Sequence, residues 1–237
     1  MSHTDASRSS DAQSTREAIV RRVLQLAFML VILAASLFLT SGRLDWLMAW
    51  VYLGLYVGMI VATALVIERD LIAERARIGE GTKDWDRVLG SLALFLVTPG
   101  ALIVAGLDKR FGWSQLSPVV QFAATCFVIL GSALTVWAMA SNKFFSGTVR
   151  IQKDRGHTVV SAGPYGFVRH PGYLAWCISA PAIPLTLGSL WGLIPAMLGV
   201  WALVIRTALE DRALRGELPG YRDYARRVRY RLFPGIW

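Results

Sequence analysis

Two clusters in this 237-residue chain combine residue types and spacings suited to chemistry. The first is Gly163-Pro164-Tyr165-Gly166-Phe167-Val168-Arg169-His170-Pro171-Gly172-Tyr173. It reads as a turn running into a helix start, because Pro171 suits a first helical turn, where a missing N–H costs nothing. Free N–H groups there, together with Arg169 and His170, make a polar pocket rim. Taken alone, His170 is equally an interfacial histidine bonded to backbone. The second cluster is Arg206-Thr207-Ala208-Leu209-Glu210-Asp211. Arg206 and Glu210 stand four apart and share a helix face. Charges at the edge of an apolar zone are functional candidates; a surface ion pair is the plainer alternative. A third group is Tyr221 and Tyr224 with Arg226, Arg227, Arg229 and Arg231, whose basic residues read as an anchor for lipid headgroups.

The elements that must position these residues are apolar. Hydrophobic residues make up 54% of the chain, and charged ones only 17%, against about 25% in soluble domains. Mean hydropathy is +0.46. Apolar runs occupy residues 23–40, 46–67, 88–107, 118–140, 173–187 and 190–209. About 20 residues cross a bilayer, so the expected fold is an all-α integral membrane protein with about six transmembrane helices. Arg21 and Arg22 precede the first run as in a signal peptide, but its length and the runs that follow favour a retained helix. Residues 1–20 read as a disordered cytoplasmic tail, 21–140 as a four-helix substrate-side scaffold, and 141–237 as the chemical region.

Local signals refine that picture. Gly54 and Gly58 have a spacing that permits close helix packing, and Pro99-Gly100 implies a kink in the third span. In the charged stretch 68–87, Leu71, Ile72, Ile78 and Trp85 suggest a segment lying on the membrane, or else a plain solvated loop. Lys153-Asp154-Arg155-Gly156 looks like a turn between short β-branched stretches, 148–151 and 158–160. The fifth run is short and carries Pro181 and Pro184. With the Gly188-Ser189 turn and the sixth run it suggests a helix pair built around a cavity.

Net charge is +9, yet the charges flank the apolar runs as cytoplasmic loops beside anionic lipid do, which argues against nucleic acid as a partner. With the N-terminus placed in the cytoplasm, 22 of the 25 Lys and Arg fall inside; only Arg43, Lys109 and Arg110 fall outside. Both termini are therefore expected in the cytoplasm, in keeping with a bacterial inner membrane. Cys126 and Cys177 lie within apolar runs, without a Cys/His cluster, so neither a metal site nor a disulfide framework is supported.

In combination these motifs resemble the isoprenylcysteine carboxyl methyltransferase family, membrane enzymes related to phospholipid N-methyltransferases. The resemblance covers roughly the last 90 residues. It rests on His157-Thr158-Val159-Val160 followed by Gly163 and Tyr165, on Arg169-His170-Pro171 followed by Tyr173, on Arg206 with Glu210, and on Tyr221, Tyr224, Arg227 and Val228. It implies S-adenosylmethionine as cofactor, contacted by His157, Thr158, Val159, Val160, Tyr165, His170, Pro171, Gly172, Tyr173 and Glu210, with Gln152 matching a family glutamine. It implies Arg206 as the arginine for the substrate carboxylate. The cytoplasmic pocket would then be formed by the loop after helix 4, the helix 5–6 hairpin and the C-terminal tail. The acceptor would be a lipophilic small molecule or prenylated substrate, with membrane lipids around it. Asp211 stands where the family commonly has Glu, and Ala175-Trp176 replaces the usual Gly.

Two other readings compete. A sterol-type membrane reductase using NADPH shares an Arg-His-Pro-x-Tyr motif and a tail like Tyr230-Arg231-Leu232-Phe233-Pro234-Gly235. Its motif usually continues with Gly-Glu, whereas Leu174-Ala175-Trp176 follows here. A non-enzymatic membrane interaction protein would have to treat the whole polar cluster as structural.

Overall fold

The computed structural model describes residues 3–67, 69–75 and 81–237, with side chains described at 16–67, 71–72, 74–75 and 81–237. Ile78 lies outside the described residues. The helices in chain order are α1 (His3–Ser41), α2 (Leu47–Val66), α3 (Arg69–Glu74), α4 (Asp84–Phe95), α5 (Ala101–Phe111), α6 (Pro118–Ser141), α7 (Pro171–Thr186), α8 (Leu193–Glu217) and α9 (Tyr221–Arg227). No strand occurs among the described residues.

Among the described residues, five segments are long and apolar enough to cross a membrane: Arg16–Ser41, Leu47–Val66, Asp84–Phe111, Pro118–Ser141 and Leu193–Glu217. They expose Leu24, Phe28, Leu39, Leu65, Phe122 and Trp201, side chains that hydrocarbon accepts at no cost. The protein is thus a multi-pass helical membrane protein. α7, with 16 residues, is shorter than a standard span. Its Ser117-capped neighbour α6 packs along it closely. A Cβ on Gly131 of α6 would lie 1.9 Å from Ser179 Oγ and 2.8 Å from the Ala175 carbonyl of α7.

The third span is continuous from α4 to α5 through one π-helical turn, Leu96–Gly100, which contains Pro99. Proline removes one i→i−4 bond, and the wider turn with the Thr98 hydroxyl donating to Leu94 O accommodates the break. At the end of the bundle where α5 and α6 meet, Asp108 accepts from Ser114 N and Oγ, both at 2.7 Å, and from Ser189 Oγ at 2.5 Å. That cluster ties the α5–α6 and α7–α8 connections together.

Helix α1 runs from His3 to Ser41, and neither Gly nor Pro interrupts residues 3–41. Two local expectations are corrected. The turn at 153–156 forms, closed by Gly156 at φ 61°, but the flanking β-branched stretches do not become strands, because they line a pocket instead of pairing. Gly54 and Gly58 meet nothing within 4 Å and make no close helix contact in this chain.

Candidate active site

The polar connection between α6 and α7, the first turn of α7 and the last turns of α8 enclose one pocket, with α9 at its rim. Its lining includes Gln152, His157, Thr158, Val159, Val160, Tyr165, His170, Gly172, Tyr173 and Glu210. Ten of the eleven positions expected at a cofactor thus face one space; Pro171 caps the helix beside it. The enclosed part of the cavity is ≈ 120 Å³, and it opens to solvent at its mouth.

The loop wall is braced from within. Gln152 donates from Nε2 to Phe144 O at 2.7 Å and accepts from Arg155 Nη1 at 2.7 Å. Its side chain is therefore committed to holding the loop. His157 accepts at Nδ1 from Gln152 N, 3.3 Å away, and lies against the Phe144 ring at 4.6 Å. That contact assigns the proton to Nε2, which points away from the brace. Burial, then the charges of Arg150 and Arg155, lower the His157 pKa and favour the neutral ring. Arg150 is itself neutralised by Glu74 at 2.7 Å and Asp154 at 2.8 Å.

The α7 side is held by a buried carboxylate. Asp211, 1% exposed, accepts from Arg169 Nε at 2.7 Å, Arg231 Nε at 3.0 Å and the Tyr221 hydroxyl at 3.1 Å. His170 Nε2 stands 3.6 Å from the same carboxylate. Burial, then the Asp211 charge, pushes the Tyr221 phenol well up, so it stays a donor. The Arg169 and His170 amides donate to Tyr230 O and Arg231 O, each at 3.0 Å. The tail thus clamps the Arg-His-Pro turn. Arg231 belongs to this hub, a correction to its expected role as a headgroup anchor; Arg226, Arg227 and Arg229 remain exposed. Burial raises the Tyr165 and Tyr224 phenols as well, and the Tyr224 hydroxyl donates to Tyr165 O at 2.7 Å.

Arg206 and Glu210 are not paired with each other. The Tyr173 hydroxyl donates to Glu210 Oε2 at 2.5 Å, which aims the carboxylate at the pocket. Arg206 is buried; its Nε donates to Asp86 Oδ1 at 2.6 Å and its Nη2 to Gly147 O at 2.8 Å, with the guanidinium 5.2 Å from the Tyr173 ring centroid. It lies behind Tyr173 instead of lining the pocket. The sequence offered no signal for Asp86, one of six acids in the charged stretch 68–87. Tyr221 and Asp211 were visible as motif members but not as a hub.

The arrangement joins a carboxylate, aromatic faces and a neutral imidazole at one end of a helical bundle, with a buried arginine next door. The fold and site therefore define a multi-pass helical membrane protein with a polar pocket at one end of its bundle. Within that class, residues 123–216 match the sequence model of the isoprenylcysteine carboxyl methyltransferase (ICMT) family. It is 28% identical over 126 residues to the protein-S-isoprenylcysteine O-methyltransferase of Mus musculus, covering 49% of this chain and 43% of the mouse protein. To the protein of the same name in Schizosaccharomyces pombe it is 28% identical over 113 residues, 46% of this chain and 48% of the other. The chain thus matches less than half the length of these curated relatives.

Proposed function

We propose that this chain is an S-adenosylmethionine-dependent methyltransferase that O-methylates the carboxylate of a lipophilic, isoprenylcysteine-type acceptor. The observation that carries the reading is the convergence of residues 152–173 and Glu210 on one pocket. Residues 141–237 carry the chemistry, and 21–140 form the scaffold beside which the acceptor's hydrocarbon lies. Both termini face the cytoplasm of a bacterial inner membrane, where the 22 basic residues meet anionic lipid.

The pocket suits a cationic, nucleoside-sized ligand. Glu210 supplies the opposing charge, and Phe144, Tyr165 and Tyr173 supply ring faces that attract cations. Gly172 leaves room where a Cβ would meet the Phe145 ring at 2.7 Å. Arg150 and Arg169 line the wall but are neutralised by their own carboxylates, so they do not repel a sulfonium.

When bound, S-adenosylmethionine supplies a methyl group on a positively charged sulfur, open to in-line displacement. The chain's own residues align and desolvate the reactants. Tyr173 fixes Glu210, His157 stays neutral, and Arg206 orients the acceptor carboxylate. An ionised carboxylate needs no proton removed before attack, which fits a site without a base–nucleophile dyad.

The test is transfer of labelled methyl from S-adenosylmethionine by the purified protein in lipid. S-farnesylcysteine should acquire a base-labile methyl ester. Label appearing in phosphatidylethanolamine as a base-stable product would instead make the protein a phospholipid N-methyltransferase. NADPH consumption without methyl transfer would revive the reductase reading.

A further inference from the structure

We infer that Asp86 and Gly90, on the first turns of α4, are positioning residues that set the place of Arg206 and so the acceptor end of the site. The inference rests on the methyltransferase reading and adds to it two residues outside the 123–216 region that matches the family.

Asp86 is a carboxylate at 1% exposure, and both its oxygens are engaged. Oδ1 accepts from Arg206 Nε at 2.6 Å, and Oδ2 accepts from Val149 N at 2.8 Å. It therefore joins α4 to α8 and to the pocket loop at a single point. Gly90, one turn further along the same face, faces the same guanidinium: a Cβ there would lie 3.4 Å from Arg206 Cζ. α4 thus supplies both the charge that draws Arg206 over and the space that admits it.

The consequence for the acceptor is geometric. Asp86 takes the Nε edge of Arg206, and Gly147 O takes one Nη2 hydrogen at 2.8 Å. The ring of Tyr173 lies 5.2 Å from Cζ, and its hydroxyl holds Glu210 at 2.5 Å. A carboxylate reaching Arg206 is left the Nη1 end. Because Asp86 already offsets the positive charge, the subsite selects by direction of donation more than by net charge. A shift of the guanidinium by one methylene length misaligns the acceptor oxygen, to which in-line displacement is sensitive.

Two variants separate position from charge. Asp86→Glu keeps the carboxylate but lengthens its reach; Gly90→Val keeps Asp86 and crowds Arg206. Calorimetry in detergent would measure S-farnesylcysteine and S-adenosylhomocysteine binding, with steady-state kcat and KM for the acid beside it. Each variant is expected to raise the Kd and KM for the acid by about tenfold, while S-adenosylhomocysteine affinity stays within about twofold of the parent. Unchanged Kd and KM for the acid in both variants would overturn the inference. So would a parallel loss of both ligands, which marks a general structural role. A parent that binds S-adenosylhomocysteine but no prenylated acid would overturn the acceptor reading itself, and the inference with it.

Discussion

Arg206 and Glu210 share a face of α8, as their spacing requires, yet each answers to a different neighbour: Arg206 to Asp86, Glu210 to Tyr173. Spacing fixes the face; only packing of α4 and α7 decides the partner, so that part of the site was illegible in the sequence. Arg206→Ala would leave Asp86 buried and unpaired, at about 3–5 kcal/mol of stability. Arg206→Lys is the cleaner probe. An ammonium keeps the Asp86 pair but cannot hold Gly147 O and a carboxylate in one plane. Its KM for the acceptor should rise about tenfold or more in a methyl-transfer assay, with cofactor affinity near that of the parent. A simple surface ion pair would show changes of only about 0.2–1 kcal/mol in stability and none in kinetics.

His157 gives a pH signature at the same scale. Burial and nearby arginines place its folded pKa below the ordinary 6.5, so folding favours the neutral ring. The sign follows: this stabilisation is complete above 6.5 and is lost as pH falls through the lower folded value. Ligand-free thermal midpoints measured from pH 8 down to 5 should decline over that interval. His157→Gln should flatten the decline.

At the scale of elements, the long apolar runs were legible because hydrocarbon demands length and apolarity. α2 and α6 match the expected runs to within a residue or so, while α1 and α8 extend beyond theirs into polar sequence, α1 by about 20 residues at its start and α8 by about eight at its end. The Pro99-Gly100 break was legible too, since proline removes a bond wherever it stands. The β-branched stretches beside Gly156 were misread. Propensity for strand is mostly propensity for a half-buried surface, and here that surface is a pocket wall. The close approach of α6 to α7 runs over Gly131, a glycine that no local pattern singled out. Gly131→Val should drive into the Ala175 carbonyl and Ser179, lowering stability by about 1–3 kcal/mol. A thermal midpoint in detergent equal to that of the parent would contradict this packing.

At the scale of the molecule, the charge distribution and the bundle agree on which loops share an end. Gly42 approaches Arg110 at the end where Asp108 joins Ser189. Lys83 meets Glu217 at 2.7 Å at the opposite end, beside the pocket. In a background without Cys126 and Cys177, a cysteine at exposed Asp45 should label from outside intact cells. One at exposed Lys153 should label only after lysis. Labelling of Lys153→Cys alone in intact cells would invert the topology and remove the pocket from its cytosolic ligand.

Calorimetry on the purified protein in detergent tests whether the pocket lined by Tyr173 and Glu210 binds S-adenosylmethionine. Titration should show one site per chain for S-adenosylmethionine and none for NADPH. In Glu210→Ala, loss of the carboxylate facing a charged ligand should cost about 1.5–3 kcal/mol, or tenfold or more in Kd. Heat with NADPH and none with S-adenosylmethionine, or equal affinity in parent and Glu210→Ala, would contradict the assignment.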